Sequence, residues 1–289
     1  MLGGGSDQRM AGPHRDEIFV DDVPIRSAAT VVLLDDRPDL HVLALRRTDA
    51  STFVAGHTLF PGGAVDDGDH DPRWGDLSSG AVGELPGMDD PLSYRIAVVR
   101  ETIEEVGVAL GISDEMVAAD LVARRRDLES GVVRLADLVS ESATSSGAHL
   151  DLSGVHPVAR WVTPMPSIKR YDTAFFVARA PAGCRPVVDG REAVHAEWCR
   201  PADALTRWEA GELTMISPTI AMFQRLATYQ TVDEVMAATT DAPVRHVRLL
   251  DDSTTPVRFE GDDDYDAPGT RATLGWVWLP AGPVTGDAP

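Results

Sequence analysis

Residues 94–110, YRIAVVRETIEEVGVAL, have the hydrophobic pattern of one amphipathic helix. Five apolar residues recur at steps of three and four and form a narrow stripe that must face a core: Ile96, Val99, Ile103, Val106 and Leu110. An aspartate, Asp89 or Asp90, can cap this helix. Pro91 suits its first turn, and Gly111 can end it in a left-handed conformation. Both ends of the helix are therefore predicted.

Three glutamates, Glu101, Glu104 and Glu105, lie on the helix face opposite this stripe. One interpretation is the solvated face of a surface helix. However, Glu101 repels both Glu104 and Glu105 at helical spacing, which costs about 0.2–0.5 kcal/mol per pair. Arg100, four residues before Glu104, is the local opposite charge. A divalent cation with oxygen ligands would turn the repulsion into coordination, so we predict a Mg²⁺ or Mn²⁺ site on this face.

A glycine pair lies upstream, in residues 60–69, FPGGAVDDGD. Gly62 and Gly63 allow the backbone to turn sharply and to approach a ligand closely, and Asp69 follows them. Together with residues 100–108, RETIEEVGV, this stretch resembles the Nudix box, GX5EX7REUXEEXGU, in which U is a bulky aliphatic residue. The matching positions are Gly63, Arg100, Glu101, Glu104, Glu105, Gly107 and Val108.

The match to the box has two departures in residue type and one in spacing. Asp69 stands in place of the first glutamate, and Thr102 stands where an aliphatic residue is usual. Thirty residues separate Asp69 from Arg100, where the box has seven. The extra segment, residues 70 to about 91, is rich in Gly, Pro and Asp and predicts an inserted loop. Such an insertion resembles the peroxisomal coenzyme A diphosphatase branch and its bacterial relatives, and the resemblance extends over residues 26–230.

The resemblance implies an α/β protein, with the Nudix α/β/α sandwich and its mixed central sheet in residues 23–230 and the box at 63–108. It also implies an enzyme that uses Mg²⁺ or Mn²⁺ to hydrolyse the pyrophosphate bond of a nucleoside diphosphate linked to another moiety. Coenzyme A or acyl-coenzyme A is the first substrate to test. The expected catalytic residues are Arg100, Glu101, Glu104 and Glu105, and the glutamates are also expected to bind metal, together with Asp69. The expected substrate contacts are Arg46, Gly62, Gly63, Arg160 and Arg170.

Several alternatives stay open at this point. The substrate could instead be ADP-ribose, NADH or a nucleotide sugar, and a non-catalytic Nudix ligand-binding module is a different class of function. Arg160 and Arg170 either contact a phosphate or pair with a carboxylate, with equal weight. Glu197 is either a further metal ligand or general base, or a partner in a salt bridge. Any of the three box glutamates is a candidate general base.

Composition limits the class of partner and the compartment. A net charge of −20 over 289 residues disfavours a long nucleic acid, because phosphate backbones are bound mainly by Lys and Arg. A small anionic substrate is still allowed, since local arginines and a metal act at short range. Cys184 and Cys199 lack the spacing of a zinc site. No apolar run has the length of a membrane span, and the N-terminus lacks a signal-peptide core, so a cytoplasmic protein is expected.

The remaining segments give a coarse order of elements. Residues 1–22 are expected to be flexible. Strands are predicted at 28–34, 41–45, 158–162, 173–178 and 193–201, and helices at 114–130, 135–142, 202–211 and 217–229. The arginines of 123–127, ARRRD, are interpreted as a solvated helix face. Residues 231–289 form a C-terminal extension, whose two strand-like pieces are expected to extend the domain or to form the edge of a homodimer.

Overall fold

A computed structural model describes residues 23–51, 54–81, 83–165, 167–239, 243–250 and 257–282. The segment 1–22, predicted to be flexible, lies outside the described residues. The strands in chain order are β1 (Ile25–Asp36), β2 (Leu40–Arg47), β3 (Thr58–Leu59), β4 (Gly62–Ala64), β5 (Ser78–Ser79), β6 (Leu150–Asp151), β7 (His156–Val162), β8 (Arg170–Arg179), β9 (Ala193–Cys199), β10 (Arg245–Leu250), β11 (Arg258–Phe259) and β12 (Thr270–Val277). The helices are α1 (Trp74–Leu77), α2 (Pro91–Val106), α3 (Glu115–Ala123), α4 (Arg125–Glu129), α5 (Leu135–Ser146), α6 (Pro201–Glu209), α7 (Ser217–Leu226) and α8 (Val232–Ala238).

The central sheet is mixed. Its strand order is β11-β10-β12-β7-β8-β1-β2-β3, with β4 paired to β1 and β9 paired to β2. β1 and β8 are parallel along ten residue pairs, and the other pairings within this sheet are antiparallel. A parallel pair needs a long crossover connection, and the segment between β1 and β8 supplies it. The expected mixed sheet is confirmed.

Two hydrophobic cores lie on opposite faces of the sheet. Alternate residues of β1 supply them: Val31 and Leu33 pack with α2 on one face, while Val32 and Leu34 pack with α7 on the other. Because successive side chains of a strand point to opposite faces, a continuous apolar run can serve both layers. The result is the predicted α/β/α sandwich. In the described part of the chain, no helix is long and apolar enough to cross a membrane.

The length of β1 brings the glycine pair, Gly62 and Gly63, to α2. The last residues of β1 pair with β2, at Leu34 to Asp36, whereas Ala28 to Thr30 pair with β4 on the same edge. A hydrogen bond from the Val31 N–H to the Pro61 carbonyl, 2.9 Å long, continues this second pairing. β4 therefore occupies the place that β2 leaves, and its two glycines come to lie beside α2.

The helix α2 is shorter at its C-terminal end than the sequence pattern predicts. It begins at Pro91, as expected, but ends at Val106 because Gly107 adopts the left-handed conformation with φ of 63°. The N–H groups of Gly107 and Val108 return to carbonyls of the last turn. The predicted end at Gly111 is thus wrong by one turn. Leu110 is buried all the same, but in the turn that follows the helix.

Three other predicted segments differ from their expected form. The insertion is not a plain loop, since it contains α1 and β5 and buries Trp74 and Leu85. The single helix predicted at 114–130 is divided into α3 and α4. In the C-terminal extension, β10 and β12 form an antiparallel pair, and β12 joins β7, so this pair extends the central sheet. The homodimer stays a prediction.

A buried ion pair joins β7 to β8. The guanidinium of Arg160 donates to both carboxylate oxygens of Asp172, at 2.9 and 3.0 Å, and the two side chains are 1% and 2% exposed. We predict that Arg160→Met lowers the free energy of unfolding by about 3–5 kcal/mol, because it leaves the carboxylate of Asp172 buried without its charge partner. Urea unfolding followed by circular dichroism measures this loss.

The double variant Arg160→Met/Asp172→Leu is the control, because it removes both charges. It should recover most of the lost stability, since a buried pair replaced by apolar groups of similar size costs little. A double variant as unstable as the single one would contradict this account of the pair.

Candidate active site

The guanidinium of Arg100 joins the two halves of the box. Its Nε and Nη2 donate to the two carboxylate oxygens of Asp69, at 3.0 and 2.9 Å. Its Nη1 donates to Glu101 at 2.8 Å and to Glu104 at 3.3 Å. Nη2 also donates to the carbonyl of Ala64, at 2.7 Å. Arg100 therefore holds two glutamates of α2 and the loop of residues 64–69 in one arrangement.

Asp69 lies on the loop side of this arrangement. It is 2% exposed, and its Oδ2 also accepts the N–H of Asp66 at 2.8 Å. Burial raises the pKa of its carboxyl, although the bonds from Arg100 oppose that shift. Both oxygens that would bind a metal accept hydrogen bonds from Arg100, so Asp69 in this structure positions Arg100. The metal role expected for Asp69 stays a prediction.

The glycine pair forms a platform for the other carboxylate groups. The N–H of Gly62 donates to Oε2 of Glu105 at 2.9 Å. At Gly63, a Cβ would lie 2.2 Å from Oε1 of Glu101, closer than any real contact. The N–H of Gly62 thus binds one glutamate, and the missing side chain of Gly63 leaves room for another. The sequence predicts that both glycines contact substrate. Their substrate role stays a prediction.

Burial changes the acidity of all three glutamates. It raises the pKa of Glu101 and of Glu104 to about 7, against the opposing charge of Arg100. Burial also raises the pKa of Glu105 well above its ordinary value, and the neighbouring Glu101 raises it further. The interpretation as a solvated helix face is wrong, since Glu105 is only 5% exposed. Carboxylates gathered in this way favour a proton or a cation between them.

The donor atoms suit a hard cation. Within the described residues, Oε2 of Glu101, Oε1 of Glu104 and Oε1 of Glu105 accept no hydrogen bond. Carboxylate oxygens are what Mg²⁺ and Mn²⁺ bind. Among the same residues, no three His, Cys, Asp or Glu side chains are already grouped as a ligand set. The three glutamates therefore suit a divalent cation by the type of their donor atoms and by their charge. Among the described residues, they are not arranged as a complete set of ligands.

Arg125 binds carbonyls at the C-terminal end of α2, although it belongs to a segment that the sequence predicts to be a solvated helix face. Its Nη2 donates to the carbonyls of Glu104 and Glu105, at 2.8 and 3.2 Å, and its Nη1 donates to the carbonyl of Val187. A cation at this place satisfies carbonyls of the last helical turn. The interpretation of the ARRRD cluster as a solvated face is thus wrong for Arg125, and no local pattern distinguishes it from its neighbours.

The three arginines predicted to contact substrate, Arg46, Arg160 and Arg170, have partners other than the three glutamates. Arg46 is at the end of β2, half exposed, beside Asp49 at 3.3 Å. Arg160 is buried against Asp172, so the carboxylate partner is the one present. Its row in the sheet runs through β8 and β1 to Gly63, three strand spacings or about 14 Å away. Arg170 is buried and donates to the carbonyl of Thr163. Their substrate roles stay predictions.

Two carboxylates, those of Glu197 and Glu192, lie on β9 and just before it. The sequence allows Glu197 to be an extra ligand, a general base or a salt-bridge partner. In the structure it accepts a hydrogen bond from Arg207 at 2.9 Å and forms the salt bridge. No sequence pattern points to Glu192. It lies in the connection before β9 and binds Arg47 at 3.1 Å.

A polar cavity of about 460 Å³ opens onto Arg100 and Glu104. Its walls come from the loop 65–69 and from residues 128–135. A larger cavity, about 970 Å³, lies beyond the C-terminus of α2 and includes none of the three glutamates. Of these two cavities, the smaller one borders the carboxylate cluster, at Glu104.

We predict that Gly63→Ala lowers kcat by at least about tenfold, because the new methyl group must displace the Glu101 carboxylate and a displacement of about 1 Å costs up to a hundredfold. Steady-state kinetics with coenzyme A, the first substrate to test, measures the effect. Gly75→Ala is the matched control, since nothing lies within 4 Å of the added carbon and Gly75 does not line the cavity. Equal losses in both variants would rule out the platform role of Gly63.

We also predict a pH dependence of stability in metal-free protein. The folded-state pKa of about 7 for Glu104 exceeds its ordinary value of 4.5, so the unfolded state binds fewer protons between these two values. Stability should therefore fall as the pH rises from 4.5 to 7 and change little above it. Glu104→Gln removes this term. In EDTA, the melting temperature of the parent protein relative to Glu104→Gln should drop between about pH 5 and about pH 7.5, and a rise would contradict the prediction.

Comparison with known proteins identifies the family. A family model of the NUDT19 Nudix domain matches residues 83–226, which include α2 but not the glycine pair. The acyl-coenzyme A diphosphatase NUDT19 of Gallus gallus is 24% identical, over 75% of this chain and 71% of that protein. The Homo sapiens protein of the same name is 26% identical, over 67% of this chain and 62% of its own length.

A solved structure agrees with these matches. The crystal structure of a Nudix hydrolase from Alicyclobacillus acidocaldarius superposes with a TM-score of 0.64 at 29% identity, and covers 77% of this chain and 100% of that chain. The structure supplies the half of the box that the family model leaves out, since Arg100 joins Asp69 to α2 and the Gly62 N–H binds Glu105 of α2. This chain belongs to the Nudix hydrolase superfamily, as a diphosphate hydrolase that resembles the coenzyme A diphosphatase branch.

Proposed function

We propose that this protein is a hydrolase that depends on Mg²⁺ or Mn²⁺ and cleaves the pyrophosphate bond of coenzyme A or an acyl-coenzyme A. The observation that carries the proposal is the cluster of one buried glutamate, Glu105, and two partly buried ones, Glu101 and Glu104, held by Arg100 and by the N–H of Gly62. These carboxylates are buried together without enough positive charge to balance them. A divalent cation balances them, and it is also what a diphosphate substrate requires.

The chemistry of the bond explains this requirement. A pyrophosphate carries negative oxygens that repel an attacking water, so a catalyst must neutralise charge and position that water. A bound Mg²⁺ or Mn²⁺ would polarise the phosphoryl oxygens and lower the pKa of water. Glu101 and Glu105 would hold such an ion through the oxygens that accept no hydrogen bond from the described residues.

Each residue of the chain has a definable part. Arg100 fixes the orientation of Glu101 and Glu104, and the Gly62 N–H fixes that of Glu105. Glu104 is the one of the three that lines the 460 Å³ cavity. We therefore assign to Glu104 the proton of the attacking water, because its carboxylate faces the space that water and substrate enter. The carboxylates of Glu101 and Glu105, against the glycine pair, are assigned to the cation.

The choice of substrate has separate support. Relatives that align with most of this chain are named acyl-coenzyme A diphosphatases, at 24% and 26% identity. The polar cavity beside Glu104 is large enough for part of a nucleotide but carries no feature specific to one. Coenzyme A is thus the first nucleoside diphosphate derivative to test, with a cytoplasmic location as the accompanying prediction from sequence.

The test is product analysis with the purified full chain, Mg²⁺ and, separately, coenzyme A, acyl-coenzyme A, ADP-ribose, NADH and a nucleotide sugar. We expect cleavage of coenzyme A to phosphopantetheine and 3′,5′-ADP. Glu101→Gln and Glu105→Gln should each lose more than about a hundredfold in kcat, since a metal supplies several kcal/mol of transition-state stabilisation. Glu197→Gln is the matched control, because Glu197 pairs with Arg207 outside the cluster.

The other outcomes are equally specific. Cleavage of ADP-ribose, NADH or a nucleotide sugar without cleavage of coenzyme A would keep the reaction and discard the substrate. Tight binding of coenzyme A without product, unchanged in Glu105→Gln, would favour a ligand-binding module and overturn the proposal.

A further inference from the structure

Residues 128–135 form the wall of the 460 Å³ polar cavity that lies outside the box. A main-chain bond closes the turn in this wall, since the N–H of Val132 donates to the carbonyl of Asp127 at 2.9 Å. The helix α5 then begins at Leu135, whose side chain is buried in the core. Arg134 precedes the helix in an extended conformation, with φ of −104° and ψ of 143°. The backbone position of Arg134 is thus set by the turn and by the helix, independently of any ligand.

A salt bridge attaches the same wall to the insertion. Nη2 of Arg73 donates to the carboxylate of Asp137, in the first turn of α5, and to that of Asp71, both at 2.7 Å. Arg73 lowers the pKa of Asp71, and the charge of Arg134 adds to that shift. The carboxylate nearest in charge to Arg134 is therefore already bound by another arginine.

Arg100 is the other arginine that lines the cavity, and its donors are fully used. A guanidinium has five N–H groups. Nε donates to Asp69, and Nη1 donates to Glu101 and Glu104. Nη2 donates to the second oxygen of Asp69 and to the carbonyl of Ala64. Arg100 thus makes five hydrogen bonds within the protein and has no N–H group left for a ligand.

The side chain of Arg134 has its donors available. It is exposed, and it forms no hydrogen bond or ion pair in the part of the chain that the structure describes. The other charged side chains that line the cavity are carboxylates: Asp66, Asp67, Asp69, Glu104 and Glu129. These carboxylates repel a phosphate that enters the cavity, so the phosphate needs a positive partner at short range. The planar fork of an arginine suits two phosphate oxygens at once.

We propose that Arg134 binds a phosphate group of the substrate in the cavity beside Glu104. The inference rests on the proposed function, because Glu104 is assigned the proton of the attacking water and the phosphate under attack then lies in the same cavity. It adds a substrate contact that belongs to neither half of the box. The arginines that the sequence predicts for this role have partners elsewhere.

The test measures the binding of two phosphate ligands that contain no pyrophosphate bond, 3′,5′-ADP and AMP, by isothermal titration calorimetry of the full chain with Mg²⁺. Arg134→Gln should weaken the binding of 3′,5′-ADP by about tenfold or more, which is the usual contribution of a hydrogen bond to a charged group. Arg134→Lys, which keeps the charge but loses the fork, should recover part of the affinity.

Arg126→Gln is the matched control and should bind as the parent protein does. Arg126 is exposed as well, its side chain forms no bond to any described residue, and it does not line the cavity. The two variants therefore lose the same charge from the same region of the surface. Both should keep the melting temperature of the parent protein, since each changes an exposed side chain.

The two ligands identify the phosphate that Arg134 binds. AMP carries only the 5′-phosphate, which corresponds to the diphosphate of coenzyme A, whereas 3′,5′-ADP carries the 3′-phosphate as well. A loss of affinity for both ligands assigns Arg134 to the diphosphate, and a loss for 3′,5′-ADP alone assigns it to the 3′-phosphate. In either case the KM for coenzyme A should rise by a similar factor, with a smaller change in kcat.

Three results would overturn the proposal: unchanged affinity in Arg134→Gln, an equal loss in Arg126→Gln, or a parent protein that binds neither ligand. The proposed function fails separately. If 3′,5′-ADP binds through Arg134 but no pyrophosphate bond is cleaved, the phosphate contact stands and the hydrolase is wrong. If coenzyme A is cleaved with a KM that Arg134→Gln leaves unchanged, the hydrolase stands and the contact is wrong.

Discussion

The charge of Arg100 is the constraint on which the site depends. One guanidinium binds the carboxylate of Asp69 and two glutamates of α2, so it joins segments that are thirty residues apart in sequence. The long insertion is tolerated because the entropic cost of closing a loop grows only slowly with its length. The insertion also adds to the core, since Trp74 and Leu85 are buried within it. Asp69 can replace the usual glutamate because the position must hold an arginine, and the shorter side chain does so with both of its oxygens.

The sheet contributes through geometry. The same edge of β1 pairs with β2 at one end and with β4 at the other, and this divergence admits the glycine pair. The absence of a side chain at Gly63 gives the Glu101 carboxylate its place, while the Gly62 N–H holds Glu105. The arrangement of the glutamates therefore depends on the length of β1 and on the missing side chains of Gly62 and Gly63, as well as on the acidic residues themselves. A helix with the same glutamates on a filled strand would not bring them together.

Local patterns were sufficient for part of this structure. The apolar period of α2 placed its core face, and the spacing of its glutamates placed them together, because both follow from helical geometry alone. The end of the helix was not predictable in this way. Two glycines, Gly107 and Gly111, carry the same signal, and the apolar residues between them continue the pattern. Arg125 gave no signal at all, since the carbonyls that it binds lie in other segments and come within its reach only when the chain folds.

The acidity of the glutamates connects the fold to the activity. Burial favours the protonated form of Glu101, Glu104 and Glu105, while binding of a cation needs the charged form. The folded protein without metal therefore holds these side chains under an electrostatic strain that the proposed divalent ion would relieve. The two apolar cores stabilise the fold against this strain. Arg100 holds α2 at its middle, and Arg125 holds it at its C-terminal end. A less buried cluster would be more stable without metal, but it would gain less from binding one, and its carboxylates would be less firmly oriented toward a diphosphate.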